Sequence, residues 1–202
     1  MTGFISNGPP SASVTLVLAH GAGAPMDSEW MNAIATGVAA DGFRVLRFEF
    51  PYMAERRTSG KRRPPDRQQV LLDAWRSAFA EAGEGPTVVG GKSMGGRMAS
   101  MIADEVSAAG LVCLGYPFHA PGKPEAPRVQ HLEFLRTPAL FVQGTADPFG
   151  TRDDVAGYTL SPAITIEWVE GGNHDLVSKA LGRAASRQHV IASVSSFLAA
   201  RA

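Results

Sequence analysis

From about residue 14 to the C-terminus, short apolar runs alternate with helically striped segments, and this alternation leaves few folds open. The runs fall at residues 14–19, 43–50, 87–91, 111–114, 139–142 and 164–169. Several are apolar on consecutive residues, as in Val14-Thr15-Leu16-Val17-Leu18-Ala19, which marks strands covered on both faces. The last run alternates Ile164, Ile166 and Trp168 with Thr165 and Glu167, the pattern of an edge strand with one wetter face. Between the runs, four stripes recur at helical spacing. They are Met31, Ile34 and Val38; Val70, Leu71, Trp75, Ala78 and Phe79; Met94, Met98, Met101, Ile102 and Val106; and Val190, Ile191, Val194, Phe197 and Leu198. Asp27 and Ser28 suit a helix start, and Gly83 suits a helix stop. Residues 51–65, opened by Pro51 and closed by Pro64-Pro65, are expected to form a loop. Strands separated by helices predict an α/β fold, a mostly parallel sheet of six or seven strands in a three-layer α/β/α sandwich. No linker, repeat or second unit interrupts the pattern, so one domain is expected over residues 1–202.

Composition narrows the functional classes. A chain of 202 residues with 45% hydrophobic and 19% charged residues can bury a full core. Lys+Arg and Asp+Glu both number 19, so no global field draws the chain to nucleic acid or to an anionic membrane. The one cysteine, Cys113, excludes an internal disulfide and a cysteine-based metal cage, and its place in a strand predicts burial as a small hydrophobe. Residues 1–13 lack the basic start and apolar run of a signal peptide, and no stretch is apolar enough to span a bilayer. A cytoplasmic location, no metal and no cofactor are the expectations.

In a parallel sheet, functional residues belong in loops at the carboxyl ends of strands. There the sequence places Gly91-Lys92-Ser93-Met94-Gly95, a G-x-S-x-G pattern between a strand and a helical stripe. This context is that of a nucleophile elbow, whose tight turn needs small residues on either side of the serine. A phosphate-binding loop ending in Gly91-Lys92-Ser93 is excluded, because Pro86 stands where its first glycine must be. A nucleophilic serine needs a base, and the base needs an orienting carboxylate. Of the five histidines, His174 follows the last strand, in Gly171-Gly172-Asn173-His174-Asp175. His131 and His189 fall in expected helices, while His20 and His119 follow strands and are placed to line a site. Asp147 follows another strand end, in Gly144-Thr145-Ala146-Asp147-Pro148. Asp153 and Asp154 read as helix-start residues, and Asp175 adjoins the histidine too closely to reach its far ring nitrogen. Ser93, Asp147 and His174 are therefore the expected triad, with backbone N–H groups of Met94 and Ala22 as the oxyanion hole. Arg97, one turn into the helix after Ser93, could face either the site or solvent.

Three segments together resemble a known family. They are His20-Gly21-Ala22-Gly23-Ala24-Pro25-Met26, Gly90-Gly91-Lys92-Ser93-Met94-Gly95-Gly96-Arg97 and Tyr116-Pro117-Phe118-His119-Ala120-Pro121-Gly122-Lys123-Pro124. The chain is similar to small, cap-less α/β hydrolases of the dienelactone-hydrolase-like group, whose relatives include testis-expressed hydrolase-like proteins and a subunit of the NSL chromatin complex. Dienelactone hydrolases proper use a cysteine where this chain has Ser93, so their substrate is not implied. The resemblance implies a serine hydrolase fold with no large cap domain, since only about 23 residues join the strand at 111–114 to the one at 139–142. It also implies an open site suited to a small-molecule acyl ester, thioester or lactone. Acyl transfer on the same triad and a non-catalytic interaction module remain alternatives. Residues 56–67 gather Arg56, Arg57, Lys61, Arg62, Arg63 and Arg67 against Asp66 alone, which reads either as a solvated loop kept soluble by its charges or as a basic loop that attracts an anionic ligand.

Overall fold

The computed structural model describes residues 3–202, so the expectation for the start of the chain at residues 1–2 lies outside the described residues. The frame is a seven-stranded sheet. In chain order it comprises β1 (Ile5–Asn7), β2 (Thr15–Ala19), β3 (Arg44–Phe48), β4 (Thr87–Lys92), β5 (Gly110–Leu114), β6 (Ala139–Gly144) and β7 (Ile164–Val169). Their spatial order is β1-β3-β2-β4-β5-β6-β7, and all neighbours pair in parallel except β1, which runs antiparallel to β3. β1 adds a short strand that the sequence pattern does not announce, because three residues are too few for a periodicity to register. β7 lies at the opposite edge, with a partly exposed face, as its alternation requires.

Helices cover both faces. On one side, α1 (Glu29–Ala40) and the C-terminal helix α6 (Gly182–Ala199) pack over Leu16, Leu18, Val45, Val88, Val112 and Val142. On the other, α3 (Gln68–Glu81) and α4 (Met94–Ile102) pack over Val17, Phe48, Val89, Cys113 and Phe141. The strands supply side chains to both cores, which is why their sequences are apolar at consecutive positions. Ser28 caps α1 by accepting from the Met31 N–H. Cys113 is fully buried, and burial pushes its thiol pKa well above the ordinary value. A short α5 (Arg152–Ala156) begins with a reciprocal capping box between Thr151 and Asp154. No helix among the described residues is long and apolar enough to cross a membrane.

The expected loop over residues 51–65 is corrected by the structure: Pro51–Ser59 form a helix, α2. β3 ends at Phe48, and Pro51 opens this helix at its first turn, a position where proline is well tolerated. Tyr52 and Met53 turn inward, while the rest of the segment is polar and carries no repeating apolar stripe. The helix start has no capping side chain of its own, so the Tyr52 N–H donates to Asp66 Oδ2 at 2.8 Å from beyond the helix. The basic cluster is correspondingly less uniform than its sequence suggests. Arg57, in the last turn of α2, pairs with Asp27 and Glu49, and Arg63 pairs with Glu55 and Asp66. Asp27 and Glu49 from outside the segment, with the nearby Glu55 and Asp66, thus neutralise part of it. Asp66→Ala should destabilise the protein by about 1 kcal/mol, the usual value of a lost helix cap, in urea unfolding. Arg62→Ala, at an exposed position, should change stability by no more than about 0.5 kcal/mol in the same assay.

Candidate active site

The strand order reverses direction between β2 and β4: from β2 the chain moves outward to β3, then returns past β2 to β4. Loops diverging from the carboxyl ends of such a strand pair leave a crevice. The loop after β2 carries Gly21 and Ala22, and the turn after β4 carries Ser93. Ser93 adopts φ 50° and ψ −115°, a conformation rarely available to a residue with a side chain. Neighbouring backbone enforces it. A Cβ on Gly91 would stand 2.5 Å from the Ala19 carbonyl oxygen, and one on Gly95 would meet the same atom at 2.5 Å. Only glycine fits on either side of this serine. The Ser93 N–H donates to Leu114 O at 3.0 Å, and Trp75 Nε1 donates to Gly95 O at 3.2 Å, which ties the turn to β5 and α3.

Ser93, His174 and Asp147 come together although 81 and 27 residues separate the successive pairs. Ser93 Oγ lies 2.9 Å from His174 Nε2, and His174 Nδ1 lies 2.8 Å from Asp147 Oδ2. Asp147 has no exposed surface and needs further donors to remain charged there. Phe149 N–H donates to its Oδ1 at 2.9 Å, and Gln143 Nε2 donates to its Oδ2 at 3.0 Å. Gln143 is itself fixed, since its Oε1 accepts from Tyr116 N–H at 2.7 Å. The Phe149 ring lies against the imidazole, with centroids 4.3 Å apart. Asp153 and Asp154 belong to α5, and Asp154 faces His119 Nε2 at 3.3 Å.

Ala22 lines the crevice with Ser93, and Met94 follows Ser93 in the chain. Met94 is the first residue of α4, so its N–H has no acceptor within the helix. The orientation of the Ala22 N–H is set by the preceding carbonyl, Gly21 O. His20 Nδ1 donates to Gly21 O at 2.7 Å, and in a trans peptide the N–H of the next residue points the opposite way. The loop is held again one residue later, where the Tyr52 hydroxyl donates to Ala22 O at 2.9 Å. His20 Nε2 accepts from the Phe50 N–H at 3.1 Å, so the imidazole is satisfied in its neutral form with the proton on Nδ1.

Three residues expected near the site lie elsewhere. His20 is fully buried behind the loop of Gly21 and Ala22, which it braces through Gly21 O. His119 packs against α5, and Arg97 faces a separate depression with Arg128 and His131, on the far side of α4. The crevice at Ser93 is a cavity of about 330 Å³ walled by Ala22, Ala24, Trp30, Met31 and Phe149, with Lys92, His174 and Asp175 as its ionisable residues. Sequence patterning gives no sign of Trp30, Phe149 or Tyr52, and Gln143 leaves only a trace, as a lone amide near the end of an apolar strand. Among the described residues no cluster of three or more His, Cys, Asp or Glu side chains is arranged to hold a metal.

Residues 12–200 match the model of a family described as an alpha/beta hydrolase domain, and the chain belongs to that family. Solved structures agree on the fold. An alpha-beta serine hydrolase homologue from Coxiella burnetii is 17% identical, with 96% of this chain and 90% of that chain covered and a TM-score of 0.69. An a/b serine hydrolase without lid from Xanthomonas campestris is 18% identical, covering 96% and 88% with a TM-score of 0.69. A dienelactone hydrolase from Anabaena variabilis is 17% identical, covering 96% and 89% with a TM-score of 0.75. This chain shares their fold, and among its described residues no large cap covers the sheet.

The buried imidazoles make stability depend on pH. Burial holds the pKa of His20 below its ordinary value of 6.5, and burial with the Arg97 charge lowers that of His131 to about 4. Below pH 6.5 the unfolded chain therefore binds protons that the folded one refuses. The free energy of unfolding should fall as pH is lowered from 6.5 towards 4, and His131→Asn should flatten that slope in urea titrations at a series of pH values.

Proposed function

We propose that this protein is a serine hydrolase that cleaves small acyl esters, thioesters or lactones through an acyl-enzyme on Ser93. The observation that carries this reading is the unbroken chain of contacts from Ser93 Oγ through the His174 imidazole to buried Asp147, at 2.9 and 2.8 Å. Ser93 Oγ attacks the acyl carbonyl while His174 Nε2 takes its proton. Asp147 accepts from Nδ1–H, fixing the tautomer and stabilising the imidazolium as it forms. The developing oxyanion receives the N–H groups of Ala22 and Met94, each such donor being worth about 3 kcal/mol in the transition state. His174 then returns the proton to the leaving alcohol, thiol or internal alkoxide, and a water activated by the same imidazole releases the acid. The chemistry calls on no cofactor.

Substrate size follows from the cavity. A volume of about 330 Å³ with mostly apolar walls suits a short acyl chain or a single ring. No large cap stands above it to cover a long lipid.

Ser93→Ala should abolish covalent labelling by a fluorophosphonate and lower turnover of a small p-nitrophenyl ester by at least about 10³-fold. Labelling of that variant at the wild-type rate would remove Ser93 from its role. Asp147→Asn should remain folded by circular dichroism yet lose about 10³–10⁴-fold in kcat, because the amide no longer selects the productive tautomer.

A further inference from the structure

A buried lysine is costly, because desolvation disfavours its charge. Lys92 immediately precedes Ser93 in the elbow and is 8% exposed, yet acyl transfer as derived above uses no ammonium there. Alternation along β4 sends it to the α1 side of the sheet, with Val88 and Gly90. Its stem runs beneath the oxyanion loop, Cγ standing 3.6 Å from where a Cβ on Gly21 would be. Its ammonium ends on the loop that carries the base, where Nζ donates to the His174 carbonyl oxygen at 2.7 Å. Asp175 Oδ1 lies 3.6 Å from Nζ, and the Trp30 ring centroid lies 5.8 Å away. Burial lowers the pKa of the ammonium, and the charges of Asp175 and Asp147 act against that.

The loop is unevenly held. Asn173 Oδ1 accepts from Asp175 N–H and Val177 N–H, and Trp30 Nε1 donates to Asp175 O at 3.1 Å. Among the described residues, no backbone N–H reaches the His174 carbonyl itself. The peptide nearest the working imidazole therefore depends on one charged donor, and a charged donor makes the stronger bond.

We propose that Lys92 is a positioning residue: its ammonium fixes the His174 main chain so that Nε2 stays within reach of Ser93 Oγ. The proposal rests on the hydrolase reading above. One side chain then begins beside the nucleophile, passes under the oxyanion loop and ends on the backbone of the base, setting three loops against one another. Misplacement by about 1 Å can cost 10²-fold in rate.

The test compares wild type with Lys92→Met, Lys92→Gln and Lys92→Arg on a small neutral p-nitrophenyl ester, with rates expressed per folded protein from circular dichroism at the assay temperature. Lys92→Met and Lys92→Gln should lower kcat by about 10–100-fold while KM stays within about threefold. Fluorophosphonate labelling of Ser93 should slow by a similar factor, since it calls on the same base. Lys92→Arg, which can still donate a charged hydrogen bond, should recover several-fold over Lys92→Met. If Lys92→Met fails to fold, Lys92→Gln carries the comparison. A kcat within threefold of wild type, a loss borne by KM, or an arginine variant no better than methionine overturns the proposal. Wild-type protein that neither labels nor turns over any ester overturns the hydrolase reading, and this proposal with it. Active wild type beside unaffected Lys92 variants overturns the role of Lys92 alone.

Discussion

The site depends on one crowded crossing, where the turn at Ser93 presses against the end of β2. Its φ of 50° costs about 1–3 kcal/mol, and the rest of the fold over-determines it. Gly91 and Gly95 bring two backbone segments so near Ala19 that no side chain could intervene. The same contact sets the loop of Gly21 and Ala22 beside Ser93, because that loop starts one residue after Ala19. Relaxing the turn would misplace both the hydroxyl and the N–H groups that face it.

Around this crossing the polar groups are buried and satisfied in chains. Gln143 links the Tyr116 backbone to Asp147, Asp147 links to His174, and His20 links Gly21 to Phe50. Each member has its partners, so none carries the penalty of an orphaned buried group. The arrangement explains why two histidines twenty residues from the start and near the end of the chain have different work. His174 is half-buried and reaches Ser93, whereas His20 is enclosed and holds a carbonyl.

What the sequence disclosed follows the range of its signals. Parallel strands covered on both faces write themselves as consecutive apolar residues, so β2 and β4 through β6 are legible. Glycines at Gly91 and Gly95 with a serine between them announce the elbow, since sterics there permit little else. β1 and α2 were hidden for opposite reasons. β1 is too short to show a period, and α2 buries Tyr52 and Met53 in sequence between charged residues, with a cap supplied by Asp66 from the next loop. The depth of a residue was also illegible: His20 and His119 follow strands as site residues do, yet one lies beneath the loop and the other against α5. Lys92 was visible only as the end of a phosphate-loop pattern that geometry excluded.

The hydroxyl of Tyr52 has a consequence for how such a molecule fails. It reaches the Ala22 carbonyl from α2, a helix of nine residues with two buried side chains and a run of exposed residues at its end. Segments with so little buried surface open at lower free energy than the sheet. When α2 opens alone, Tyr52 leaves Ala22 while β2, β4 and the elbow keep their places. Heat or denaturant that opened α2 first would loosen the loop beside Ser93 while the sheet still stood, and inactivation would then come before melting.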